Sequence, residues 1–355
     1  MIKTKVIKVD RDFPDTKHID EAVAVLKKGG IIAFPTETVY GLGVDYTNKK
    51  ALDNLYSVKQ RSQDKPFTLL IANIRQIDDF AIDVPVGAYR LVDKFWPGPL
   101  TLVLKSKDSK VVTVGLRVPN NNIALSLVKH TDFPIACPSA NISDKEESKN
   151  AEEVLKYFDT KIDLVLDAGQ VEIGMPSTVV DVSKAKFEIL RKGFIKDSEI
   201  EGVLSKKRVL FVCTGNSCRS VMAEGLFKKK LKEANRFDVE VFSAGIAAYI
   251  GRGASFETVE LLKDEGVDMS KHSAQRVNSD MLKRSDLVLV MEKQQESCLL
   301  ASNPELKNRI YLLNEFSNFK QDNLEIDDPI GRDAHTYKKV FLEIKEAVEK
   351  LVKLV

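Results

Sequence analysis

Apolar and polar positions form strand-like and helix-like patterns along this chain, and a strand–loop–glycine pattern begins afresh twice. The first start is GGIIAFPTETVYGLG at 29–43, where an apolar run leads into Thr36 and Thr38 and predicts a strand ending in a polar loop. Just before it, IDEAVAVLKKGG spaces its apolar residues helically and ends in glycine, the mark of a capped helix. KKALDNLYSVKQR reads as a helix, PFTLLIAN, LTLVLKS and PIACPSAN as strand segments, and Ala151 to Phe158 as a further helix. The second start is KRVLFVCTGNSCRS at 207–220. Val209 to Val212 is a short apolar run suited to a buried parallel strand. In the following VMAEGLFKKKL, residues Val221, Met222, Gly225, Leu226 and Leu231 fall mainly on one helical face. A last helical stretch is DAHTYKKVFLEIKEAVEKLVKLV.

Both halves are therefore expected to be α/β. Between them, FIKDSEIEGVLSKK is charged and weakly patterned, which places a boundary near Ser205 and divides the chain into 1–205 and 206–355. With no proline and one glycine, this linker is expected to be partly helical. The length of 355 residues also favours two domains over one core.

Composition narrows the class. A net charge of +2 offers no whole-chain reason to bind nucleic acid or a membrane surface. No apolar run approaches the roughly 18 residues of a membrane span. The opening MIKTKVIKVDRDFPD has neither an apolar signal region nor a small-residue cleavage site. Cys137, Cys213, Cys218 and Cys298 are too few for a disulfide scaffold and read as reduced thiols. A cytoplasmic protein is expected.

The second half carries the sharper chemistry. The loop Thr214-Gly215-Asn216-Ser217-Cys218-Arg219-Ser220 lies between a strand and a helix N-terminus. Loop N–H groups and the helix dipole there converge on an anion. Cys213 opens the loop as a candidate thiolate nucleophile, and Arg219 can fork onto two phosphate oxygens. Phosphate-ester hydrolysis through a cysteinyl-phosphate follows from that pairing. It needs an acid for the leaving group, and Asp328 in IDDPIGRD is the candidate, with Asp327 as the substitute. Cys218 is read as a loop thiol able to pair with Cys213 on oxidation, Cys298 as core packing, and His272 and His335 as surface or packing residues.

In the first half no Walker loop and no GxGxxG appears. Polar and basic residues recur instead at the ends of the expected elements: Thr36 and Thr38; Lys59, Arg61 and Lys65; Arg117; Ser139 and Asn141; Ser177 and Thr178; Arg191. Such a set suits a cavity for a triphosphate and carboxylates, although scattered surface residues would give a similar pattern.

Two resemblances sharpen both halves. From about Lys207 onward, VCTGNSCRS, the following Ala223-Glu224, SAG at 243–245, SDLVLVM at 285–291 and Asp328-Pro329 resemble the low-molecular-weight protein phosphatases. The resemblance implies a doubly wound four-stranded parallel sheet with helices on both faces. Cys213 would be the nucleophile, Arg219 the phosphate clamp and Asp328 the general acid, with Asn216 holding the loop and Ser220 donating to the Cys213 sulfur. Ser217, with Ile330 and Gly331 after the Asp-Pro pair, is more similar to the bacterial protein-arginine phosphatases, which generally carry threonine at the serine position. Phosphoarginine is thereby favoured slightly over phosphotyrosine. The related arsenate reductases need two further cysteines close together downstream, where Cys298 stands alone.

From Ile2 to Gly193, FPTETVYGLG, the Lys59-x-Arg61 pair, FWPGPLT, GLRVP, PSANIS, PSTVVD and ILRKG resemble the YrdC-like threonylcarbamoyl-AMP synthases. That family has a twisted mixed sheet around an open basic cavity. The resemblance implies joining of L-threonine, bicarbonate and ATP, with Mg2+ accompanying the ATP, and release of pyrophosphate. The product serves the machinery that transfers the threonylcarbamoyl group to tRNA. Thr36, Arg117 and Ser177 would contact threonine. Lys59, Arg61, Thr113, Ser139, Asn141, Ser148 and Arg191 would line the ATP side, and Lys65 would meet a phosphate or carboxylate. The competing reading makes this half a nucleotide-binding, RNA-binding or regulatory module, with only the phosphatase catalytic.

Overall fold

The computed structural model describes residues 3–143, 145–184, 186–317 and 324–355, and the chain divides into two compact units, Met1–Val203 and Leu204–Val355. The first is built on a ten-stranded mixed sheet. Across it the strands run Lys5–Lys8, Leu164–Asp167, Ile32–Pro35, Tyr40–Asp45, Ile135–Ala136, Thr68–Leu70, Thr113–Arg117, Leu100–Lys105, Thr178–Asp181 and Glu188–Arg191. Ile32–Pro35 is buried throughout and Tyr40–Asp45 almost so, as expected for central strands covered on both faces. The helix Thr16–Lys27 buries Ile19, Ala22, Val23 and Leu26, one stripe at spacings of three and four. Asp15 caps its start, and Gly29 beyond its end adopts a left-handed φ of 82°.

The charged segment after Gly193 is partly helical, as expected of a linker with no proline and one glycine. Residues Asp197–Leu204 form a helix, and Ile195, Ile200 and Val203 are buried. Thr178 donates its hydroxyl to the Ile195 carbonyl, and Arg90 donates to that of Val203. Three apolar side chains in a charged stretch thus fasten it to the first unit.

The second unit is a four-stranded, wholly parallel sheet in the order Val239–Gly245, Lys207–Cys213, Leu287–Val290, Ile310–Leu312. The first strand in sequence lies inside the sheet, with later strands on either side of it. Connections therefore leave its carboxyl end in opposite directions and open a crevice there, the usual ligand position in such sheets. Cys213 is the last residue of that strand. The helix Arg219–Glu233 buries Val221, Met222, Leu226 and Leu231, and Ala334–Leu351 buries Tyr337, Val340, Phe341, Ile344, Ala347, Val348 and Leu351. Both join the core around Phe211 and Leu289. Among the described residues no helix is long and apolar enough to cross a membrane.

Cys298 does not belong to either core. It is exposed on the helix Lys293–Ser302, which turns only Gln295 and Leu299 fully inward. The apolar residues of KQQESCLLAS do not share one face, so the cysteine's own hydrophobicity could not place it.

Candidate active sites

In the first unit, strand and loop ends enclose a cavity of 380 Å³. Thr36, Arg117 and Ser177 line it, as do Arg61, Lys65, Thr113, Ser139 and Arg191. Three residues expected on the ATP side lie behind its wall. Lys59 is 2% exposed and donates through Nζ to the Ser139 carbonyl at 2.6 Å, to Asn141 Oδ1 at 3.1 Å and to the Asn141 carbonyl. Asn141 Oδ1 in turn accepts from the Ser139 hydroxyl at 2.6 Å. Ser148 is buried, with its hydroxyl on the Ala140 carbonyl. These three brace the PSAN loop from behind, so that it presents Ser139 to the cavity.

The remaining contacts pre-set the cavity wall. Arg117 donates to Glu37 Oε1 at 2.7 Å and to Thr38 Oγ1 at 2.9 Å, with Nε on the Gly98 carbonyl at 3.2 Å. Arg191 donates to the Ser177 hydroxyl at 2.9 Å and to the Ser177 carbonyl at 3.0 Å. Arg61 donates to the Lys65 carbonyl at 2.9 Å and lies 5.4 Å over the Phe67 ring. Gly193 permits the close return of the last segment: a Cβ there would sit 2.4 Å from the Pro176 carbonyl oxygen. The sequence reading missed Glu37. It is 2% exposed, its Oε1 neutralises Arg117, and its Oε2 has no hydrogen-bond partner among the described residues. A carboxylate inside an otherwise buried strand–loop run was the available signal.

Burial, reinforced by the Arg61 guanidinium, pushes Lys59 down to about 7 from the ordinary 10.5. Below pH 7 the amine is charged in both folded and unfolded chains, and the penalty of burying that charge is complete. Between pH 7 and 10.5 the native state binds fewer protons than the unfolded one, so stability rises with pH. Denaturant titrations of wild type and Lys59→Met across that window should show wild type gaining relative to the variant. A flat difference would mean that the three oxygen acceptors keep the ammonium charged.

In the second unit the Cys213 sulfur accepts from the Asn216 backbone N–H at 3.3 Å and lies 3.0 Å from the Ser220 hydroxyl. Asn216 Nδ2 donates to that hydroxyl oxygen at 3.0 Å, which leaves the Ser220 proton for the sulfur. The same Nδ2 donates to Ser243 Oγ at 2.8 Å, and Ser243 donates to the buried Glu224 at 2.5 Å. Asn216 holds a left-handed φ of 53°, a conformation asparagine tolerates better than most residues. Gly245 lets the neighbouring strand approach the loop, since a Cβ there would lie 2.6 Å from the Thr214 carbonyl oxygen.

His272 corrects its reading as a mere surface or packing residue: its Nε2–H donates to the Asn216 carbonyl at 2.9 Å. Arg219 is 1% exposed. Its Nη1 pairs with Glu292 at 2.6 Å and with the Ile326 carbonyl at 2.9 Å, and its Nη2 pairs with Asp328. Its Nε has no partner among the described residues, a buried donor that a phosphate in the loop would satisfy. Asp328 thus lies against Arg219, which follows the Cys213 loop, whereas Asp327 is exposed. Cys218 lies 3.4 Å from both Ser255 Oγ and the Tyr337 hydroxyl.

A mixed-sheet unit with a basic polar cavity is therefore followed, in one chain, by a parallel-sheet unit with a Cys-x5-Arg anion loop. Residues 24–193 match the model of the Sua5, YciO and YrdC family, described as telomere recombination, and residues 208–355 match that of the low molecular weight phosphotyrosine protein phosphatases. A threonylcarbamoyl-AMP synthase of Pyrococcus abyssi is 38% identical over 212 residues, covering 58% of this chain and 62% of that protein. A relative from Methanocaldococcus jannaschii is 33% identical, matched over 55% of this chain and 95% of its own length. The solved structure of a doubly substituted variant of P. abyssi Sua5 is similar with a TM-score of 0.54 at 26% identity, over 86% of this chain and 99% of that one. The chain belongs to the Sua5/YciO/YrdC family through its first unit, and its second unit is a low-molecular-weight phosphatase domain joined to it. It spans 62% and 56% of the lengths of the P. abyssi synthase and of a Bacillus subtilis synthase.

Proposed function

We propose that the chain is bifunctional. Its first unit makes threonylcarbamoyl-AMP from L-threonine, bicarbonate and ATP, and its second removes phosphate from proteins, with phosphoarginine favoured over phosphotyrosine. The observation that carries this reading is convergence. Residues from well-separated segments meet around one basic cavity, while Cys213, Arg219 and Asp328 meet at the crevice of the parallel sheet.

In the first unit Thr36, Arg117 and Ser177 hold threonine. Arg61, Thr113, Ser139 and Arg191 hold ATP, Lys65 meets a phosphate or carboxylate, and Lys59, Asn141 and Ser148 shape the loop behind them. The threonine amine forms a C–N bond with bicarbonate as a C–O bond breaks and water leaves, and an oxygen of the resulting carbamate attacks the α-phosphorus as pyrophosphate leaves. Positioning and charge neutralisation supply the catalysis. Asp64 is the one carboxylate among the described lining residues, and no group of three metal-binding side chains occurs among the described residues. Mg2+ would accompany the ATP, held mainly by phosphate oxygens and water. The product is passed to the tRNA threonylcarbamoyl-transfer machinery.

In the second unit the Cys213 sulfur attacks phosphorus, Asp328 protonates the leaving atom, and the loop N–H groups with Arg219 stabilise the transferring phosphoryl group. Asp328 then takes a proton from the water that cleaves the S–P bond. Ser217, Ile330 and Gly331 support phosphoarginine, because none of them adds an aromatic ring to the Phe256 and Tyr337 that line the cavity.

Incubation with ATP, Mg2+, bicarbonate and labelled L-threonine is expected to yield labelled threonylcarbamoyl-AMP and pyrophosphate in equal amounts. Intact phosphatase activity without any adenylate would return the first unit to a binding role.

A further inference from the structure

The cavity beside the Cys213 loop contains a carboxylate that this mechanism leaves unused. The cavity measures 380 Å³ and is lined by Ser217, by segment 252–257, by segment 330–332 and by Tyr337. Among its described lining residues Glu257 is the one carboxylate, and among the described residues it makes no ion pair. Arg252 and Arg332 are exposed, whereas Glu257 is half-buried.

Glu257 is also held in register with the loop. The Ser255 N–H donates to the Ser217 carbonyl at 2.9 Å. The Ser255 hydroxyl oxygen caps the helix Phe256–Asp264 by accepting from the Thr258 N–H, and it lies 3.4 Å from Cys218 Sγ. Glu257, two residues past Ser255, is thus carried on a segment tied to two neighbouring loop residues. The phosphate position and this carboxylate cannot drift apart without breaking those contacts.

The two possible leaving groups differ in charge. Tyrosine leaves as a neutral phenol once protonated and gains nothing from a carboxylate. Arginine leaves as a guanidinium, a planar cation with several N–H donors. We infer that Glu257 is a specificity residue that accepts the guanidinium N–H groups of phosphoarginine. Ser217 leaves room for the flat group beside it. This rests on the phosphatase reading above. In the reaction the Cys213 sulfur forms the S–P bond as the P–N bond breaks. The electron pair goes to nitrogen, Asp328 supplies the proton, and the guanidinium departs along Glu257. Water then cleaves the S–P bond and releases inorganic phosphate.

The test compares kcat/KM on phosphoarginine and phosphotyrosine peptides for the full-length wild type, Glu257→Gln and Glu257→Asp. The glutamine variant should lose about 30-fold on phosphoarginine, mainly in KM, as expected for one charge-assisted hydrogen bond. Its phosphotyrosine activity should hold or rise, and aspartate should restore part of the loss. A carboxylate that only supports the helix start would lower both substrates together, along with the melting temperature, and that result would overturn the inference. So would an unchanged ratio, or a wild type that cleaves phosphotyrosine alone. A wild type that cleaves neither peptide would bring down the phosphatase reading itself, and this inference with it.

Discussion

Replacing Cys213 with serine is expected to lower phosphatase turnover by at least about four orders of magnitude, because an alcohol is a far weaker nucleophile than a thiolate in the same place. The fold should survive. Serine is close in size, and the Asn216 N–H and the Ser220 hydroxyl keep an oxygen to bond in place of sulfur. Synthesis of threonylcarbamoyl-AMP should be unchanged, since none of its proposed residues lies in the second unit. Phosphate release and labelled adenylate would be measured on one preparation of each protein. Equal loss of both activities would contradict two independent sites.

The second large effect is expected at Arg117. Arg117→Ala leaves Glu37 buried with an unanswered charge, a loss of about 3–5 kcal/mol for a broken buried pair. Threonine-dependent pyrophosphate release should disappear. Because the alanine variant risks unfolding, Arg117→Lys isolates the chemistry. It keeps the charge beside Glu37 but loses the fork to Glu37, Thr38 and Gly98. Its KM for threonine should rise about 10- to 100-fold, with a smaller change for ATP. An equal rise for both substrates would move Arg117 away from the threonine side.

Much of this was legible in the sequence because local grammar carried it. An apolar run ending at Cys213, a tight loop and an amphipathic helix specify strand, anion loop and helix without distant contacts. The same holds for the helix at Ala151–Phe158, with its Asn150 cap. What stayed hidden depends on contacts between distant segments. His272 reaches the loop across 56 residues, and its own neighbourhood reads as ordinary surface. Glu257 sits at a helix start, where an acidic residue is favourable without any ligand. Lys59 was placed on the ATP side by the family resemblance, through the Lys59-x-Arg61 pair. Only the fold shows its Nζ turned onto the PSAN backbone. Glu37 went unnoticed because its partner lies 80 residues away, on the strand Thr113–Arg117.

The resting arrangement around Arg219 has a consequence for which anions can enter. Its guanidinium is already answered by Glu292 and Asp328, an ionic latch on the clamp of the loop. A monoanion such as chloride brings one charge and few acceptors, too little to displace two carboxylates, Glu292 on Nη1 and Asp328 on Nη2. A phosphoryl dianion brings two charges and three oxygens, and it also satisfies the unpartnered Nε. Drawing the guanidinium toward phosphate would loosen its grip on Asp328, the proposed acid, as the substrate settles. On the proposed mechanism such a latch would filter by valence, and it would couple occupancy of the loop to readiness of the proton donor.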